Sequence, residues 1–171
     1  MNIFLIGYRG TGKSFIGKDL ARQLKFNFID LDSEIVKQKG KTIPQIFSEE
    51  GEKRFREYET EELKTISERT NQVISCGGGI VVMEENLVLL KKGFVVLLSS
   101  GPEIIFKRIS SDKNRPALTN LSSFEEIKFM LAQRKELYNK IKNFEIDTGK
   151  DGLNDYVKRI IQAYKKFYTP Q

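Results

Sequence analysis

Gly7-Tyr8-Arg9-Gly10-Thr11-Gly12-Lys13-Ser14 satisfies the pattern G-x-x-x-x-G-K-[ST] at every fixed position. Glycines let such a loop curl so that successive backbone N–H groups converge on phosphate oxygens. A helix starting behind the loop adds partial positive charge from its N-terminus. Lys13 can reach the β- and γ-phosphates of a nucleotide, and the Ser14 hydroxyl can ligate Mg²⁺. Gly10 through Phe15 then form the nucleotide-contacting stretch. This chemistry is phosphate binding; it leaves the recipient of the phosphate undefined.

Three further clusters bear on the recipient. Asp30-Leu31-Asp32 falls at the end of an apolar run, the edge at which open α/β sheets bind ligands. On an extended strand both carboxylates would face the same way, one toward Mg²⁺ through water and one toward a hydroxyl. The alternative is a helix cap at Asp32. The stretch 51–59 reads as helix, and Arg56 and Glu59, three residues apart, can pair and hold a guanidinium ready for a carboxylate. On spacing alone, a solvated charged face competes with that reading. Cys76-Gly77-Gly78-Gly79 follows another apolar run, and three glycines favour close approach of a ligand over a plain turn. Arg134 lies on an apolar helical stripe between Leu131 and Tyr138, where it either snorkels or points into a cleft at an anion.

Composition narrows the chemistry. The 171 residues include no histidine and one cysteine, Cys76. Histidine acid–base chemistry, histidine-ligated metals and intrachain disulfides are therefore excluded, and any metal must take oxygen ligands, which favours Mg²⁺. Cys76 reads as a small buried filler. The net charge of +6 comes from lysines spread along the chain, so solvated helix faces and a local arginine-rich anion pocket explain it better than nucleic acid. With 39% hydrophobic and 30% charged residues the chain can build a core and stay soluble, and no run has membrane-span length. The N-terminus enters a strand pattern at once, so a cytoplasmic protein without a leader is expected. No exposed apolar stripe stands out, so a monomer is expected.

The elements that must position these groups alternate. Ile3–Ile6, Asn27–Asp30, Val73–Ser75, Phe94–Leu98 and Phe144–Ile146 read as strands. Ile16, Leu20 and Leu24, then Ile127, Leu131 and Tyr138, then Leu153 through Tyr164 keep helical periods. Continuous apolar strands separated by helices predict one domain over 1–171, with a parallel sheet covered on both faces. The polar stretch 110–123, with Arg115 in it, reads as a lid.

In this order, the phosphate loop, Asp30-x-Asp32, Phe47-x-x-x-Gly51-Glu52-x-x-Phe55-Arg56-x-x-Glu59, Gly77-Gly78-Gly79, Arg115-Pro116-x-Leu118 and Arg134-x-x-Leu137-Tyr138 resemble the shikimate kinases over most of the chain. The resemblance implies the α/β sandwich of nucleoside-monophosphate kinases, a P-loop fold with a five-stranded parallel sheet and helices on both faces. It also implies a substrate-binding segment near 32–60 and a lid near 109–123. The implied reaction is ATP-dependent phosphorylation of the shikimate 3-hydroxyl, a step toward chorismate and the aromatic amino acids. Asp32, Arg56, Gly77, Gly78, Gly79 and Arg134 would form the shikimate site, Asp30 would hold Mg²⁺ through water beside Ser14, Arg108 would lie against adenine, and Arg115 would meet the transferring phosphate. Lys13, Asp32 and Arg115 would be the catalytic groups. The chain departs from the family at Phe15, where threonine is common, and at Thr148–Gly152, which lacks a proline and offers Lys150 instead. A kinase for another small hydroxylated acid should lack the Phe55-Arg56 and triple-glycine features. A non-catalytic nucleotide-binding module should have lost Asp32, Arg115 or Arg134.

Overall fold

Ile3-Phe4-Leu5-Ile6 is apolar and buried at all four positions, so the strand it forms, β1 (Ile3–Ile6), is covered on both faces. The structure, a computed structural model, describes residues 1–110, 118–119, 121–150 and 152–168. After β1 come α1 (Lys13–Leu24), β2 (Asn27–Asp30), α2 (Leu31–Lys39), α3 (Ile43–Ser67), β3 (Gln72–Ser75), a short 3₁₀ turn at Ile80–Val82 and α4 (Glu84–Leu90). Then follow β4 (Phe94–Ser99), α5 (Pro102–Ile109), α6 (Ser123–Ile141), β5 (Phe144–Asp147) and α7 (Leu153–Tyr168). The five strands pair only in parallel, in the order β2-β3-β1-β4-β5. This is the expected parallel sheet. Three strands run one residue past their apolar runs, because Gln72 pairs with Asn27 and Ser99 with Asp147 in the ladder whatever their side chains.

Successive strand side chains alternate between two cores. Phe4 and Ile6 face a cluster with Leu31, Phe55 and Tyr138 from α2, α3 and α6. Ile3 and Leu5 face Ile16 and Leu20 of α1 and Ile160 of α7. The result is three layers with helices on both faces.

Local chemistry sets the segments that carry the site. Gly12 caps α1 at φ 89°, in left-handed space that suits glycine, so the chain turns from β1 into α1 over the phosphate loop. Thr42 and Gln45 cap α3 reciprocally, Thr42 Oγ1 accepting from Gln45 N at 3.4 Å and Gln45 Oε1 from Thr42 N at 2.8 Å. Gly51, at φ 83° and ψ 166°, breaks α3 and re-aims its second half, which carries Arg56 and Glu59. Past the end of β3, Cys76 N donates to Leu5 O at 3.0 Å, so the glycine turn leaves the sheet beside the phosphate loop.

Candidate active site

Ser14 begins the nucleotide side. Its Oγ donates to Asp30 Oδ2 at 2.5 Å and lies 3.2 Å from Ser75 Oγ. Lys13 Nζ donates to the carbonyls of Gly7 and Tyr8 at 2.8 and 2.9 Å, which holds its ammonium over the loop. A cleft of about 270 Å³ opens here, lined by Gly10, Gly12, Lys13, Ser14, Phe15 and Asp30 among others. Thr11 is buried below it, its hydroxyl donating to Tyr8 O at 2.8 Å. Arg108 of α5 closes one end, donating to Gly10 O at 3.2 Å and to Thr148 O at 2.8 Å. Beside it a second cavity of about 300 Å³ is lined by Phe15, Arg108, Thr148, Leu153 and Tyr156. Phe15 is 67% exposed at this edge.

The acceptor side is built from four elements. From α3, Arg56 Nη1 donates to Glu59 Oε2 at 2.5 Å, while its Nη2 donates to Glu52 Oε1 at 2.7 Å. From α6, Arg134 Nη1 donates to Gly78 O at 2.9 Å, and Tyr138 donates its hydroxyl to the same carbonyl at 2.6 Å. From α2 comes Asp32, and after β3 comes the glycine turn. Arg56, Glu59, Arg134, Asp32 and the glycine turn line one cleft together with Tyr8, Arg9, Phe55 and Leu118. Arg9, Asp32 and Gly78 line both this cleft and the nucleotide cleft, so the two meet there.

The glycines at 77 and 79 are required by space rather than by backbone angle. A Cβ on Gly77 would sit 2.3 Å from Glu59 Oε1, and one on Gly79 would sit 2.2 Å from Arg56 Nη1. The turn therefore lets a buried carboxyl and a guanidinium lie directly on the main chain. Gly77 and Gly79 thus lie against the Arg56–Glu59 pair, and Gly78 against Arg9 and Arg134.

The family model described as shikimate kinase matches residues 9–165, nearly the whole chain. The chain belongs to the shikimate kinase family. A curated shikimate kinase of Pelotomaculum thermopropionicum is 42% identical over 166 residues, 96% of either chain. The solved shikimate kinase of Acinetobacter baumannii in complex with shikimate superposes with a TM-score of 0.93 at 35% identity, over 99% of this chain and 95% of that one. The Aquifex aeolicus shikimate kinase gives 0.84 at 36% identity over 98% of both chains. As a shikimate kinase the chain is an enzyme, a phosphotransferase acting on an alcohol, and its sheet and layers are those of the P-loop kinases.

Sequence reading and structure differ at Asp32. The strand ends at Asp30, and Asp32 lies in the first turn of α2. Asp30, not Asp32, caps that helix, accepting from Ser33 N at 3.2 Å. Both carboxylates still line the nucleotide cleft, and Asp32 lines the acceptor cleft as well. Arg56 and Arg134 are 6% and 4% exposed, so neither the solvated-face reading nor the snorkelling one holds. Lys150 is paired with Asp147 at 3.4 Å and largely exposed. Cys76 is buried, and burial pushes its thiol well above the usual range. Arg115 and Pro116 lie outside the described residues. Sequence reading missed Tyr8 and Arg9, which occupy unconstrained positions of the loop motif, as well as Glu52, Ser75, Thr148 and Glu126.

Glu59 is the most deeply buried charged residue of this candidate site. It is 0% exposed, and burial, against the pull of Arg56, pushes its carboxyl up to about 7. The folded protein therefore keeps a proton that the unfolded chain, with an ordinary value of 4.5, releases. Between those values stability falls as pH rises, by up to roughly 3 kcal/mol at about 1.4 kcal/mol per pH unit. Thermal unfolding of wild type and Glu59→Gln from pH 4 to 8 should show this slope flattened in the variant. An identical pH dependence would assign the slope to other groups.

Proposed function

We propose that the chain transfers the γ-phosphate of ATP to the 3-hydroxyl of shikimate, giving ADP and shikimate 3-phosphate on the route to chorismate and the aromatic amino acids. The observation that carries this reading is the meeting of a phosphate-loop cleft and a two-arginine cleft at Asp32 and Gly78. Shikimate is a small carboxylic acid with hydroxyls. Its carboxylate suits the guanidinium groups of Arg56 and Arg134, and its hydroxyls suit Asp32 and the Gly77–Gly79 turn. With the carboxylate held at the arginines, the ring lies toward Asp32, at the mouth of the nucleotide cleft.

In the transfer step the hydroxyl oxygen forms a bond to the γ-phosphorus as the bond to the ADP oxygen breaks. Asp32 accepts the hydrogen bond of the attacking hydroxyl and can take its proton. Lys13 and the N–H groups of the first turn of α1 hold the negative phosphate oxygens. By the resemblance, Arg115 would meet the same phosphate, the segment 32–60 would bind the acceptor, and 109–123, of which 111–117 and 120 lie outside the described residues, would be a lid. Little covalent work is asked of the protein; alignment and charge neutralisation supply the rate.

Ser14 Oγ, Asp30 Oδ2 and Ser75 Oγ form a hard, all-oxygen set that fits Mg²⁺. Bound there, Mg²⁺ would supply charge neutralisation for the nucleotide phosphates. Arg108 and Phe15 flank the cavity that suits adenine.

No described helix is long and apolar enough to cross a membrane. Exposed apolar side chains such as Phe15, Val88 and Phe167 sit on separate elements, which favours a monomer. The buried lone thiol favours the cytoplasm, and nothing in the cleft calls for nucleic acid.

The test is ADP release with ATP and Mg²⁺ and one acceptor at a time. ADP formation with shikimate, and none above background with gluconate or nucleoside monophosphates, is the expected result. ATP binding without turnover of any acceptor would instead make the chain a non-catalytic nucleotide-binding module.

A further inference from the structure

Glu126 enters no step above, yet its carboxylate accepts from four donors. It lies in the first turn of α6, whose start is fixed by Ser122 Oγ accepting from Glu125 N. Its side chain is 2% exposed. Oε1 accepts from Arg9 Nη2 at 2.9 Å. Oε2 accepts from Leu118 N at 2.8 Å, from Thr119 N at 2.9 Å and from Thr119 Oγ1 at 3.2 Å. Two of the residues it holds, Arg9 and Leu118, line the acceptor cleft, while Glu126 does not. Arg134, on the same helix two turns later, lines that cleft from the side.

We propose that Glu126 is a positioning residue for the acceptor. One buried carboxylate fixes a phosphate-loop side chain and the main chain at Leu118 relative to each other, and so sets two walls of the cleft that α6 completes with Arg134. The proposal rests on shikimate being the acceptor. All four partners are donors, so the site calls for a group that only accepts. Glutamine has the same shape but turns an NH₂ toward either Arg9 or the two backbone N–H groups, and one side of the clamp is lost.

The experiment is calorimetric titration of the full chain with shikimate, and of the Glu126→Gln protein also with ADP, beside steady-state kinetics. Wild type, Glu126→Gln, Arg9→Met and the double variant are compared. The Kd for shikimate should rise about ten-fold in Glu126→Gln and several-fold in Arg9→Met, with the double variant within about two-fold of the weaker single one. The ADP Kd of Glu126→Gln should stay within about two-fold of wild type, and its KM for shikimate should rise more than its kcat falls. A shikimate Kd in Glu126→Gln within two-fold of wild type would overturn the proposal. So would multiplicative losses in the double variant, or equal losses for shikimate and ADP, which mark a general loosening of the fold. Should Glu126→Gln fail to fold, Arg9→Met decides alone, and an unchanged shikimate Kd there overturns it. Wild type that binds no shikimate would instead remove the acceptor assignment, which is seen before any variant is made.

Discussion

Replacing Lys13 with alanine lowers kcat by about a thousand-fold with shikimate, and comparably for any other acceptor the enzyme accepts. The ammonium is the only side-chain cation that the loop motif itself places on the phosphates, and it is already drawn over the loop by the Gly7 and Tyr8 carbonyls. Its charge matters most as negative charge shifts between the γ-phosphate and ADP, so the loss falls on the transfer step. A single preorganised donor at such a position is worth roughly 3–4 kcal/mol. ATP affinity should fall much less, because the backbone N–H groups and the helix terminus remain. Single-turnover rates with saturating ATP measure this directly. An unchanged rate would remove the phosphate-loop assignment altogether.

Arg134→Ala is the second large effect. It should raise the shikimate Kd by a hundred- to a thousand-fold while the ADP Kd changes less than two-fold. Truncating one partner of a buried charged contact costs about 2–5 kcal/mol. Arg134 is the cleaner choice over Arg56. Removing Arg56 leaves Glu59 buried beside no guanidinium of its own helix, so lost binding and lost stability would mix. Removing Arg134 leaves the Gly78 carbonyl bonded to the Tyr138 hydroxyl. Calorimetry with each ligand reads both halves of the expectation. Wild-type shikimate affinity in this variant would mean the carboxylate binds elsewhere.

The middle of the sheet was legible because β1 and β4 are apolar runs, which strands buried on both faces demand, while the edge strands β2 and β5 mix polar and apolar residues. Short α4 and α5 were not, since seven or eight residues hardly display a period. The Arg56–Glu59 pair followed from spacing on one helix, and the structure closes it. Two readings stayed open at Asp32, a strand-end carboxylate facing the cleft or a helix cap, because a strand continued by one leucine looks no different from a helix beginning at that leucine. Thr148 and Glu126 had no local signal: their partners, Arg108 and Arg9, are brought to them only by the fold. The glycine turn announced close approach, but what approaches it comes from α3 and α6, and no pattern along the chain names those neighbours.

The phosphate loop and the glycine turn leave adjacent strands, β1 and β3, and the Cys76–Leu5 hydrogen bond carries their pairing into the turn. The two turns therefore emerge one strand spacing apart, about 4.8 Å, a separation that the sheet makes hard to change. The arginines that choose the acceptor stand on helices instead, where sequence can drift. Rewriting α3 and α6 can therefore change what the cleft holds while the phosphate loop and the glycine turn stay one strand apart.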